Sequence, residues 1–149
     1  MLFGTVPYGK PAVQKAIEET IDAAIQAVEL RAFIISLGLE FNVGPAGNRL
    51  SQIQRQKLAF ARGLLKNPDL LVVDEALGAF DFNARSRFVG AIRGFMKGKG
   101  LLWALESPSL ADQFDQVIVM QSGNIVETGK SSDLMKGDTE FSQIGRAHV

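Results

Sequence analysis

Apolar residues along this chain fall into two periods, and the periods alternate. Over residues 11–30 they recur at Val13, Ile17, Ile21, Ala24, Ile25 and Val28, a one-sided helical stripe with proline placed to suit a first turn. A second short helix is expected over residues 31–37. Ser51 with Gln54 three residues on has the form of a capping box, and Ile53, Leu58, Ala61, Leu64 and Leu65 give the helix it opens an apolar face. That helix must stop near Asn67-Pro68, because proline cannot continue it, and Leu70-Leu71-Val72-Val73 then reads as a short strand buried on both sides.

The alternation continues. Phe82, Phe88, Val89, Ile92, Phe95 and Met96 mark another helical face, Lys97-Gly98-Lys99-Gly100 breaks it, and Leu101-Leu102-Trp103-Ala104-Leu105 reads as the next buried strand. Glu106-Ser107-Pro108-Ser109 leaves that strand, a short helix through Leu110 and Phe114 follows, and Val117-Ile118-Val119-Met120 makes another strand. Ser122-Gly123 is a two-residue turn that would fold Ile125-Val126-Glu127 back as a hairpin before Gly129 ends it. The pattern implies an α/β chain with a mostly parallel sheet.

Composition narrows this only a little. The 149 residues suffice for one core, and 46% hydrophobic with 21% charged is ordinary globular usage. Sixteen basic and sixteen acidic residues cancel, which leaves no electrostatic footprint for nucleic acid or an anionic membrane. The absence of cysteine excludes a disulfide framework and fits a reducing compartment. The most continuous apolar stretch, residues 32–39, is far below the roughly 20 residues a bilayer needs, so membrane attachment is expected through partners.

Two places carry chemistry. A helix N-terminus at Ser51 offers unpaired N–H donors to an anion, and Asp74-Glu75, where a buried strand leaves the sheet, can hold a metal's water shell or orient an attacking water. Alone, Ser-x-x-Gln is most often only a helix cap, and four apolar residues followed by two acids arise by chance. Together they point to phosphate chemistry.

The stretch from Leu50-Ser51-Gln52-Ile53-Gln54-Arg55-Gln56 to Arg62, then Leu70-Leu71-Val72-Val73-Asp74-Glu75, then Gly78-Ala79-Phe80-Asp81, resembles an ABC transporter ATPase domain. The three pieces match that family's signature motif, Walker B motif and D-loop, in its order and spacing, and Val43-Gly44-Pro45-Ala46-Gly47-Asn48-Arg49 resembles the stretch before the signature in exporter-type members. The resemblance implies a partial P-loop NTPase (RecA-like) fold: a helical subdomain over residues 1–66, part of the ATPase core over 67–138, and a tail over 139–149. It implies ATP and Mg²⁺ sandwiched between this domain and a second nucleotide-binding domain, identical or related, at the cytoplasmic face of a membrane beneath transmembrane domains. Asp74 would lie near the metal, Glu75 would activate the hydrolytic water, and Ser51, Gln52, Ile53 and Gln54 would face the partner's nucleotide, with Asp81 in the D-loop. No Gly-x-x-x-x-Gly-Lys-Ser/Thr occurs in the chain, so the half that carries the Walker A loop is expected upstream of Met1.

Four positions depart from the family pattern. Gln52 and Ile53 replace the two glycines that let bare backbone approach phosphate, and they put side chains there. Glu106 stands where the family has a histidine that contacts the γ-phosphate, unless the register there slips by one residue; an ionised carboxylate cannot donate. Pro45 stands where exporter-type domains commonly carry a glutamate. The one histidine, His148, lies in Ile144-Gly145-Arg146-Ala147-His148-Val149, which resembles a translated sequencing adapter and is expected to take no part in the fold. Two functional readings follow: a domain that hydrolyses ATP to drive export, or a degenerate module that pairs with a competent domain without firing. A soluble ABC ATPase of repair or translation fits less well, because no basic surface is evident.

Overall fold

The computed structural model describes residues 11–38, 40–105 and 108–147, and the chain divides between Leu102 and Trp103 into two compact units. In the first unit the expected helices form as α1 (Pro11–Ala27), α2 (Arg31–Leu37), α3 (Gln52–Leu65) and α4 (Phe82–Phe95). The stripe on α1 buries Ala24, Ile25 and Val28, and this helix packs against both α3 and α4. Leu58, Phe60, Ala61 and Leu64 of α3 and Phe88, Val89 and Ile92 of α4 complete the core. Phe88 meets the edge of Phe60 at 4.9 Å and lies tilted against Phe80 at 5.3 Å. Ile53 and Phe82, assigned to apolar faces by periodicity, are exposed; each sits in the first turn of its helix, ahead of the packed segment.

Strand β1 (Leu70–Val73) pairs with β2 (Gly100–Trp103). The Gly100 N–H donates to Asp69 O at 2.8 Å, so the two strands begin side by side, the arrangement of a parallel pair. A side chain at Gly100 would place its Cβ 2.8 Å from Leu70 Cδ1, which is why glycine fits there. Sequence reading expected both strands to be buried on two faces, and the structure corrects this. Val73 is buried, but Leu70 is 57%, Val72 61% and Leu102 54% exposed. The physical reason is that only one face has a cover among the described residues: a methyl added to Gly63 of α3 would lie 3.6 Å from Leu71 Cδ1. An all-apolar strand buries two faces only where elements lie on both. β2 also ends at Trp103, two residues short of the expected run.

In the second unit β3 (Val117–Gln121) and β4 (Asn124–Gly129) form the expected antiparallel hairpin. Ser122 (φ 49°) and Gly123 (φ 80°) both adopt the left-handed region that a tight two-residue hairpin turn requires. The segment after residue 107 is a 3₁₀ helix, Pro108–Gln113, whose Ala111 packs with Val119 and Phe141. α5 (Ser131–Leu134) follows β4, and α6 (Glu140–Ala147) closes the unit. The tail was expected to stay outside the fold, but α6 runs through Ile144 to Ala147. Its start is fixed by Thr139 and Ser142, each of whose backbone N–H groups donates to the other's hydroxyl, and by Glu127, whose carboxylate accepts from the N–H groups of Glu140 and Phe141 at 2.9 and 3.0 Å.

Candidate functional site

The loop ahead of α3 is built to deliver Ser51. Gly44 (φ 76°), Ala46 (φ 51°) and Gly47 (φ 70°) turn the chain back so that the Arg49 N–H reaches Val43 O at 3.1 Å. A Cβ on Gly44 would lie 2.0 Å from Asn48 Oδ1, so this turn accepts no larger residue without rearranging. Arg55 then reaches back from α3, donating through Nη1 to Leu50 O at 2.8 Å. The capping box forms as expected: the Gln54 N–H donates to Ser51 Oγ at 3.2 Å, and the Ser51 N–H donates to Gln54 Oε1 at 2.8 Å. What remains for a ligand is the Ser51 hydroxyl proton and the N–H groups of Gln52 and Ile53, which have no acceptor within the helix. The Gln52 and Ile53 side chains are exposed beside them.

The acidic pair lies at the end of β1. Val73 is buried and Asp74 and Glu75 are exposed, so the strand carries both carboxylates out of the core. Glu75 (φ 42°) and Leu77 (φ 91°) hold left-handed conformations, each a strain of about 1–3 kcal/mol for a residue with a side chain. Burial secures Leu77. Leu77 is 1% and Phe80 6% exposed, and the Phe80 N–H donates to Leu77 O at 3.0 Å. Asp81 follows in extended conformation and caps α4, its Oδ1 accepting from the Ala84 N–H at 2.8 Å.

The structure thus gathers the candidate residues into two groups. Ser51, Gln52, Ile53 and Gln54 share the start of α3, and Asp74, Glu75 and Asp81 flank one strained turn. Among the described residues no hydrogen bond joins the two groups. Glu106 lies outside the described residues. Among the described residues no three acidic or histidine side chains gather into a metal cage. Two exposed carboxylates are the donor type that a hard cation such as Mg²⁺ takes while keeping most of its waters. Sequence reasoning gave no role to Lys57 or Glu29, which meet in an ion pair at 3.0 Å. Their separation along the chain left no local signal.

No protein-family model matches the chain. It is similar to the ATP-dependent lipid A-core flippase of Methylobacillus flagellatus, 33% identical over 147 residues that make up 97% of this chain and 25% of the flippase. The flippase of the same name from Bordetella avium is 37% identical over 132 residues, 87% of this chain and 22% of that protein. Among solved structures, a bacterial Atm1-family ABC exporter with ATP bound superposes with a TM-score of 0.80 at 27% identity, over 88% of this chain and 23% of the exporter chain. The chain spans about a quarter of the length of the curated relatives it matches. Among the described residues no helix is long and apolar enough to cross a membrane.

Proposed function

The chain belongs to the ABC exporters, matching about a quarter of a member's length, and on that premise we propose that it is the signature, Walker B and D-loop part of an ATP-hydrolysing domain. The β1–β2 pair with α3 and α4 is then part of a RecA-like parallel sheet, and α1 and α2 belong to the helical subdomain. Two such domains, identical or related, enclose ATP and Mg²⁺ head to tail at the cytoplasmic face of the membrane, beneath the transmembrane domains whose transport they drive.

One observation carries this reading: a strand whose last residue is buried delivers two exposed carboxylates, with Glu75 at φ 42° two residues before the buried Leu77. Strain of this kind gathers at functional sites, where it holds a reacting group in place. Bound Mg·ATP supplies the phosphoanhydride bond and the metal charge. Asp74 suits the metal's water shell, and Glu75 suits acceptance of a proton from the attacking water. Ser51 and the N–H groups of Gln52 and Ile53 donate toward the nucleotide held by the opposing domain.

A specific observation supports a second reading. Exposed side chains at Gln52 and Ile53 obstruct close approach to the start of α3, as expected of a module that pairs without hydrolysing. Steady-state ATPase of the full-length protein with Glu75→Gln decides. A fall of about a hundredfold or more, the scale of a lost general base, supports hydrolysis here. Unchanged turnover supports the module.

A further inference from the structure

Lys57 has a side chain that the first unit largely covers. Its side chain is 13% exposed, and Nζ lies 3.0 Å from Glu29 Oε2, 3.5 Å from Glu29 O and 5.8 Å from the centre of the Phe80 ring. Each partner comes from a different part of the unit. Glu29 lies in the turn between α1 and α2 in a left-handed conformation (φ 55°), and its other carboxylate oxygen stands 3.9 Å from Arg87 Nε of α4. Phe80 closes the strained turn that begins at Glu75 and immediately precedes Asp81. Lys57 itself sits on α3 within two turns of Ser51.

We infer that Lys57 is a positioning residue: its amine, clamped between the Glu29 carboxylate and the Phe80 ring, makes the start of α3 and the 74–81 turn move as one body. This rests on the reading above, in which Ser51 and Gln54 serve the opposing domain's nucleotide while Asp74, Glu75 and Asp81 serve this domain's own. A link from α3 to the turn is then a link between two nucleotides. The chemistry suits such a link. A largely covered lysine stem is kept in one direction by what its ammonium touches, and losing either the carboxylate or the ring face lets the amine turn to water and uncouples the helix from the turn. Glu29 also accepts a left-handed backbone that asparagine or glycine adopts more readily, so its side chain, not local backbone preference, explains its presence.

The test uses the full-length protein as wild type, Lys57→Met, Lys57→Arg and Glu29→Asn. Methionine fills the space without charge, arginine keeps charge and reach, and asparagine keeps the left-handed turn while its shorter, neutral side chain loses the ion pair. Two quantities are read: hydrogen exchange of the amides of residues 77–84 without nucleotide, and kcat and KM for ATP. Lys57→Met and Glu29→Asn should each speed exchange at those amides about tenfold and lower kcat with KM unchanged, and Lys57→Arg should restore both. Unaltered exchange at residues 77–84, an increase spread evenly over α1, α3 and α4, or a kcat that does not respond overturns the assignment. A wild type that turns over no ATP defeats the hydrolytic reading by itself, and the exchange comparison then judges the clamp alone.

Discussion

Ser51 and Gln54 satisfy each other across the first turn of α3, each donating its backbone N–H to the other's side-chain oxygen. The start of the helix is therefore fixed by two residues that flank the altered pair Gln52-Ile53. Ser51→Ala removes one acceptor and should destabilise the turn by about 1 kcal/mol. In hydrogen exchange of the full-length protein that appears as roughly fivefold faster exchange of the Gln54 amide, with α4 unaffected. Equal exchange in both proteins would show that the box contributes nothing.

What could be read from sequence was local. The capping box, the proline stop at Pro68 and the Ser122-Gly123 turn each depend on residues within a few positions of one another, and all three form. Burial of β1 could not be read, because Leu70 and Val72 are covered only if something lies over that face. Nor could the Lys57 to Glu29 pair, which joins residues far apart in sequence. Glu75 was legible as a carboxylate after a strand, but its left-handed backbone was not, since nothing marks a glutamate for that region. The start of α6 escaped notice because its reciprocal cap uses Thr139 with Ser142 in place of the usual glutamate or glutamine.

The uncovered strand face sets the behaviour of the 149-residue chain by itself. Leu70, Val72 and Leu102 expose apolar side chains on neighbouring short strands, a surface that promotes self-association. The isolated chain should aggregate at micromolar concentration, and Leu70→Thr with Val72→Thr should raise the fraction that elutes as monomer. A wild-type chain that stays monomeric and unfolds in one sharp thermal transition contradicts this.

Nucleotide affinity of the isolated chain should be weak. No Gly-x-x-x-x-Gly-Lys-Ser/Thr loop occurs in its sequence, and the carboxylates at Asp74 and Glu75 repel phosphate unless a metal intervenes. Calorimetry with Mg·ATP should find no micromolar binding. A dissociation constant in that range would mean that the described residues hold phosphate in a way the α3 turn and the acidic pair do not explain.

On the proposed function, the departures at Gln52-Ile53 and Glu106 act on different nucleotides, and each can be repaired separately in the full-length protein. Gln52→Gly with Ile53→Gly removes the exposed side chains from the start of α3 and restores backbone approach to the opposing domain's phosphates. The capping box flanks the substituted positions, so the helix should keep its start despite the glycines. On the proposed function, Glu106→His puts back the imidazole donor that the family pattern has at this place in the sequence. If these departures limit turnover, each repair should raise steady-state ATPase, and a roughly tenfold gain would correspond to about 1.4 kcal/mol of transition-state stabilisation. Glu75→Gln should then erase the gain from Glu106→His, because the attacking water loses its base; where the paired domains differ in sequence it should leave part of the gain from the glycine pair, which acts at the other nucleotide, and where they are identical it should erase both. A non-hydrolysing module gives a different pattern: Glu106→His leaves turnover unchanged and Glu75→Gln is silent in both backgrounds. Loss of the Glu106→His gain on adding Glu75→Gln is the outcome that a module cannot produce.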